Sequence, residues 1–249
     1  MKVPKIILML FAILSINQMQ SQTNFDHTVW DLQLLLNVSE DGKVDYNGFM
    51  NDSSQLYRYF KQLSENPPQE NWAREEKLAY WINAYNAYTI KLVIDSYPIK
   101  SIKDLDDPWG KKFFKIDGIW HSLGELEHKI LRKFGDPRIH FAINCASISC
   151  PRIWNRAYTA NNVNNALDYQ TKKFINDPSF NTITKDKVIV SKIFTWYKKD
   201  FRVNGGNVKD FINRYSAIKI DKQSKKGYKE YNWKLNEQSK KDPAAISLD

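Results

Sequence analysis

Residues 72–97 carry no glycine or proline, and Pro98 then ends the run, because the residue before proline disfavours the α region. The spacing predicts one long helix over this stretch. Apolar or aromatic side chains fall on nearly every side of it, which marks a helix enclosed by the rest of the chain. At ~100° per residue, Ala79, Asn83, Asn86, Ala87 and Ile90 share one face. The small residues admit a close neighbour, and the two amides must be hydrogen-bonded there, since burying an unpaired amide costs on the order of 1–3 kcal/mol. Asn83 and Asn86 are therefore expected to clamp irregular backbone and shape a site, or to touch a ligand directly.

The remaining segments are shorter. Amphipathic helices are expected over residues 30–36, 49–63, 160–174, 192–201 and 208–215. A two-strand ribbon over 113–120 turns at Asp117-Gly118, and a hairpin over 182–190 turns at Lys185-Asp186. Ser122 and Glu125 form a capping box that starts a helix over 122–134. Residues 138–144 read as a short strand or a buried segment, the strand being favoured, followed by a loop of small residues over 146–151. The expected class is α+β: a mainly helical single domain with short β-hairpins around a buried central helix. No internal repeat is visible.

Lys2 and Lys5 precede an apolar run over residues 6–16, which reads as a secretory signal over 1–22, too short for a comfortable membrane span. The expected organisation is signal 1–22, an N-terminal helix and turn 23–43, a domain 44–237 and a polar tail 238–249. The location is then periplasmic or secreted, with no transmembrane segment in the mature chain. The formal charge of +9 falls to +7 once two signal lysines are removed. Lys219, Lys222, Lys225, Lys226, Lys229, Lys234, Lys240 and Lys241 interleave with Tyr228, Tyr231 and Trp233 towards the end. That composition can bind single-stranded nucleic acid, but export disfavours it; a solvated face, or an acidic glycan or lipid surface, fits better.

Chemistry concentrates in two segments. In 122–134, Leu123, Leu126, Ile130, Leu131 and Phe134 form the apolar stripe, and the helical wheel places Glu127 inside it. A core-facing carboxyl group must be paired, hydrogen-bonded or protonated. His128 and Arg132 lie together on the flank at i and i+4. In 138–151, strand alternation would put His140 and Asn144 on one face and Cys145 at the exit. Cys145 is a nucleophile only if ionised by an imidazole or another positive field, with His128 and His140 as candidate bases and Glu127 as their orienter. Against this stands a Cys145–Cys150 disulfide, since an exported compartment is oxidising and the chain has two cysteines. The pair could also serve a metal site or stay as inert thiols, although no tight His/Cys ligand spacing supports a metal. His27 and His121 read as surface residues. No cofactor is expected, because phosphate-loop and dinucleotide fingerprints are absent from the sequence.

Five motifs together, WINAYNA (81–87), SLGELEHKILR (122–132), RIHFAINCASISCP (138–151), FTWYKKDF (194–201) and YNWKLN (231–236), resemble the family named domain of unknown function 547. The resemblance spans about residues 44–236. Its motif positions fall on Asn83, Asn86, Glu127, His128, Arg132, His140, Asn144, Cys145, Cys150 and Pro151. One departure is Asn232 before Trp233, where the family pattern has aspartate. The family's name implies no reaction. Two functions follow as expectations: an exported thiol-dependent hydrolase or acyltransferase, or a non-catalytic envelope domain binding a small molecule, peptide or other ligand.

Overall fold

The computed structural model describes residues 25–202, 205–221 and 223–238. The expected signal and nearly all of the polar tail lie outside these residues. The described residues begin with α1 (Thr28–Asn37), α2 (Tyr46–Asn51) and α3 (Ser53–Glu65), which pack around the central α4 (Arg74–Ile94). Fifteen of the 21 residues of α4 are buried, from Glu76 to Ile94, as an apolar circumference demands. The helix expected over 49–63 is split, because Asp52 closes α2 and opens α3.

β1 (Phe114–Ile116) and β2 (Ile119–His121) form the first ribbon, turning through Asp117 and Gly118, both with positive φ. The Ser122–Glu125 capping box forms as expected and starts α5 (Leu123–Glu125). The backbone then widens into a π-turn over Leu126–Ile130 and tightens into a 3₁₀ turn over Leu131–Phe134. α6 (Val163–Asn176) follows, then β3 (Thr182–Ile183), β4 (Lys187–Val190), α7 (Ile193–Trp196), α8 (Val208–Tyr215) and β5 (Lys225–Tyr228). β5 lies parallel to β4 and extends the hairpin to three strands. The protein is mixed α+β and mainly helical. Among the described residues no helix is long and apolar enough to cross a membrane.

Residues 138–144 do not form the expected strand. Asp136 caps a 3₁₀ helix, Pro137–Phe141, through the Arg138 N–H, and Pro137 pre-sets the first turn. Ile139, Ala142 and Ile143 enter the larger core cluster, whereas Phe141 enters a second one with Phe174, Phe194, Phe201 and Phe211. A segment wedged between two cores is buried on all sides, so its period of two signals no exposed face. His27, expected at the surface, is buried with its Nδ1 hydrogen-bonded to the Tyr59 hydroxyl at 2.7 Å; burial pushes the His27 pKa down to about 3.

Candidate functional site

The central helix fixes the site through its amides. Asn83 grips residue 158 on both sides: its Nδ2 donates to the Tyr158 carbonyl at 2.7 Å, and its Oδ1 accepts from the Tyr158 N–H at 3.0 Å. Asn86 does the same across a bend, donating to the Ala142 carbonyl and accepting from the Asn144 N–H, each at 2.9 Å. Asn144 passes the restraint onward, donating to the Pro151 carbonyl at 2.7 Å and accepting from the Ala146 N–H at 2.8 Å. Ala146 adopts φ +58°, a strained left-handed turn for a residue with a Cβ. These bonds hold the 142–151 loop against α4 without regular secondary structure. Asn83, Asn86 and Asn144 thus hold irregular backbone and do not line the cavity among the described residues.

The far side is closed by residues 231–236. This segment exchanges backbone hydrogen bonds with the loop, from Ile148 N–H to Lys234, Ser149 N–H to Asn232, and Asn236 N–H to Ala146. It thereby delivers Tyr231 and Trp233 to the cavity wall. Asn232 uses its Oδ1 to accept from the Lys234 N–H at 3.0 Å, a role an aspartate would fill equally. The other wall depends on Gly124, whose N–H donates to the Trp109 carbonyl at 2.8 Å; a Cβ there would meet that oxygen at 2.9 Å. Trp109, Trp196, Tyr197, Tyr231 and Trp233 face a cavity of about 340 Å³. Glu127, His128, His140, Cys145 and Cys150 line the same cavity.

The two cysteines are free thiols, with sulfurs 2.7 Å apart, beyond the ~2.05 Å of a disulfide bond. The expected Cys145–Cys150 disulfide is therefore not formed. Instead Cys150 Sγ accepts from the Cys145 N–H at 2.9 Å, and the Cys145 sulfur lies 3.5 Å from both the Ser147 and Tyr231 hydroxyls. The hydrogen bond from Cys150 holds the Cys145 thiol below its ordinary range; Ser147 and Tyr231 add to it, while burial and the nearby Glu127 oppose it. Burial, followed by the proximity of Cys145, pushes Cys150 well up. Of the two thiols, Cys145 is the one set to ionise.

The histidines are engaged elsewhere. His140 is buried, stacks on Tyr197 with ring centroids 3.9 Å apart, and bonds Asp200 through Nε2 at 2.8 Å. Asp200 also takes Arg132 in a bidentate pair, with Nε and Nη2 each at 2.7 Å. Burial works against the Asp200 charge, but the bonds from His140 and Arg132 outweigh it and hold the carboxyl well below its usual range. Arg132 Nη1 lies 3.3 Å from His128 Nδ1. A guanidinium only donates, so in this contact Nδ1 accepts and has no proton to give Glu127, 4.0 Å away. No histidine nitrogen is hydrogen-bonded to Cys145 among the described residues.

Glu127 sits in the π-turn, a wide turn that recurs at functional sites. Its side chain is 5% exposed. Oε2 accepts from the Tyr85 hydroxyl at 3.4 Å, whereas Oε1 makes no hydrogen bond of acceptable geometry. Among the described residues no group of three or more His, Cys, Asp or Glu side chains can hold a metal ion. Asp200 and the aromatic walls were not singled out in the sequence, although Asp200, Trp196 and Tyr197 lie within FTWYKKDF and Tyr231 and Trp233 within YNWKLN.

Residues 69–175 match the model of a family described as "Protein of unknown function, DUF547". No curated protein and no solved structure matches the chain. The matched segment contains α4, the π-turn and the cysteine loop, while Asp200, Tyr197 and Tyr231 come from beyond it. Over residues 69–175 the chain is thus similar to the DUF547 family, whose function is unknown.

Proposed function

We propose that this cavity is the active site of a thiol-dependent hydrolase or acyltransferase acting on an amide or ester, with Cys145 as nucleophile. The observation that carries the reading is that one cavity holds a thiol whose pKa is lowered by its Cys150, Ser147 and Tyr231 contacts and an imidazole tied by Nε2 to a carboxylate. With Nε2–H donating to Asp200, Nδ1 is the basic nitrogen of His140. In the proposed step the Cys145 sulfur attacks the carbonyl carbon as its proton passes to His140. The tetrahedral adduct then expels the amine or alcohol with its bonding electron pair, His140 returns the proton to it, and an acyl thioester remains. Water or an acceptor nucleophile attacks that thioester and regenerates the thiol. Asp200 orients the ring and Arg132 holds Asp200. Export through residues 1–22 belongs to this proposal; an intact mass beginning near residue 21 or 22 supports it, and retention of Met1 overturns it.

A second reading, a non-catalytic binding domain, is favoured by one observation: no imidazole is hydrogen-bonded to Cys145 among the described residues. Incubation of the full chain with p-nitrophenyl acetate, read by intact mass and peptide mapping, separates the two. Catalysis predicts an acetyl group on Cys145 that is absent in Cys145→Ser and persists longer in His140→Ala. Labelling spread over surface lysines, with Cys145 untouched, leaves the binding reading standing.

A further inference from the structure

The charge inside the cavity runs against the charge of the chain. There are 37 Lys and Arg against 28 Asp and Glu in the sequence, yet no Lys or Arg lines this cavity among the described residues. Among the described residues the one acidic side chain in its wall is Glu127. Arg132, whose charge is felt by Glu127, gives two donors to Asp200 and turns a third to His128. His128 Nδ1 lies 3.3 Å from Arg132 Nη1 and 4.0 Å from Glu127. Tyr85 and Tyr197 turn phenols towards Glu127, but a phenol supplies a dipole and no charge. A buried carboxyl group with an open acceptor oxygen is costly unless a partner arrives. The remaining wall is aromatic, and the faces of Trp and Tyr rings attract cations. Lys103, which does not line the cavity, already lies 4.6 Å from the Trp233 ring centroid.

We propose that the cavity selects an organic cation, an alkylammonium or guanidinium group on its ligand, with Glu127 as counter-ion and the Tyr and Trp rings as its apolar surround. The inference rests on the reading of this cavity as the ligand site and names the class of ligand. It does not require Cys145 to react. A metal ion is a poor occupant, because among the described residues Glu127 belongs to no group of three or more His, Cys, Asp or Glu side chains that could hold one.

The test uses the full chain carrying Cys145→Ser, so that binding is read without chemistry, with three probes of one frame: benzylammonium, benzyl alcohol and benzoate. Tryptophan fluorescence and calorimetry at constant ionic strength follow each up to about 10 mM. The expected result is benzylammonium binding at least tenfold more tightly than benzyl alcohol, with benzoate weakest. Glu127→Gln should erase the preference while keeping the alcohol affinity, which also reports that the cavity is intact. Equal binding of the three probes overturns the inference, as does a cation preference that survives Glu127→Gln. So does failure of all three to bind protein whose circular dichroism is native. Acetylation of Cys145 without cation preference sinks this inference alone; cation preference without acetylation sinks the thiol reading alone.

Discussion

Two cavities of this protein make opposite use of polar groups. The roomier one, about 640 Å³, lies between α1 and the segment before α6 and is lined by Asp26, His27, Asp31, Glu76, Arg156 and Asn162 among others. Its polar side chains are engaged: Asp31 holds Arg156 and the Ala157 N–H, Glu76 accepts from the Phe25 N–H, and Asn162 accepts from the Thr159 N–H. The smaller cavity has about half that volume, yet it exposes a thiol disposed to ionise and a carboxyl group with a vacant acceptor. Volume alone would choose the wrong one. Polar groups left incomplete mark a place prepared for something else, since a fold otherwise has every reason to pair them.

The largest way to break this contrast is to open a region that is closed. Asn86→Ala removes both partners of a buried clamp and orphans the Ala142 carbonyl and the Asn144 N–H. Each orphan costs on the order of 1–3 kcal/mol, so about 3–5 kcal/mol of stability should be lost. Urea titration measures it, and a loss below about 1 kcal/mol, the low end for one orphan, would show that the loop relaxes freely. Cys145 alkylation in this variant should also slow towards that of an ordinary thiol, because the loop that presents it to Cys150, Ser147 and Tyr231 is no longer fixed.

The second prediction concerns His27 beside the larger cavity. Its pKa is pushed down to about 3 by burial, against an ordinary value near 6.5. The unfolded chain therefore takes a proton that the native state refuses. The contribution is full above pH 6.5 and drains away as pH falls towards 3, at no more than ~1.4 kcal/mol per pH unit. His27→Gln, which keeps an acceptor for Tyr59, should flatten stability between about pH 6 and 4.5, a difference of roughly 2 kcal/mol at the acid end. Parallel curves for the two proteins would remove His27 from the account.

How much of this was legible in the sequence depended on range. The enclosure of α4 and the two amides on it were readable because helical period and side-chain type are local. Glu127 was readable in the same way, even though the π-turn displaces the ideal wheel. The site loop was misread because the alternation over 138–144 ordinarily signals one buried face, and here two cores bury both. His27 was misplaced because its burial depends on Tyr59, 32 residues away. Asp200 escaped for the same reason, 60 residues from His140, although it is the one acid in FTWYKKDF. Chemistry-bearing types could be found one by one; their pairing could not.

Asp200 gives the third test. Its carboxyl group is held below the usual range, so its contribution is fully present above the unfolded value near 3.9 and is lost as pH falls through the lower native one. The side chain is 21% exposed and screened by solvent, so Asp200→Asn should cost only about 1 kcal/mol at pH 7. The difference from wild type should shrink below about pH 4. The same variant leaves His140 without its acceptor, and under the thiol reading acetyl turnover should fall far more than stability does. Equal losses in both would make the pair a structural tie alone.

The smallest expected effect has the opposite sign, and it sharpens the contrast most. Glu127→Gln keeps the shape of the side chain and an acceptor for Tyr85, but removes a carboxyl group that, among the described residues, no Lys or Arg of the cavity wall pairs with. Removing an uncompensated charge from a protein interior is neutral or stabilising, so the variant should gain roughly 1 kcal/mol. The urea midpoint should rise with its slope unchanged, since the exposed surface is the same in both proteins. A loss greater than about 1 kcal/mol would mean that Glu127 is a structural partner like Asp31 and that the two cavities are alike. A gain accompanied by loss of the benzylammonium preference is the decisive combination. A residue that lowers stability while conferring selectivity is retained for what it binds, whereas a paired residue of the larger cavity, such as Asp31, has only stability to lose.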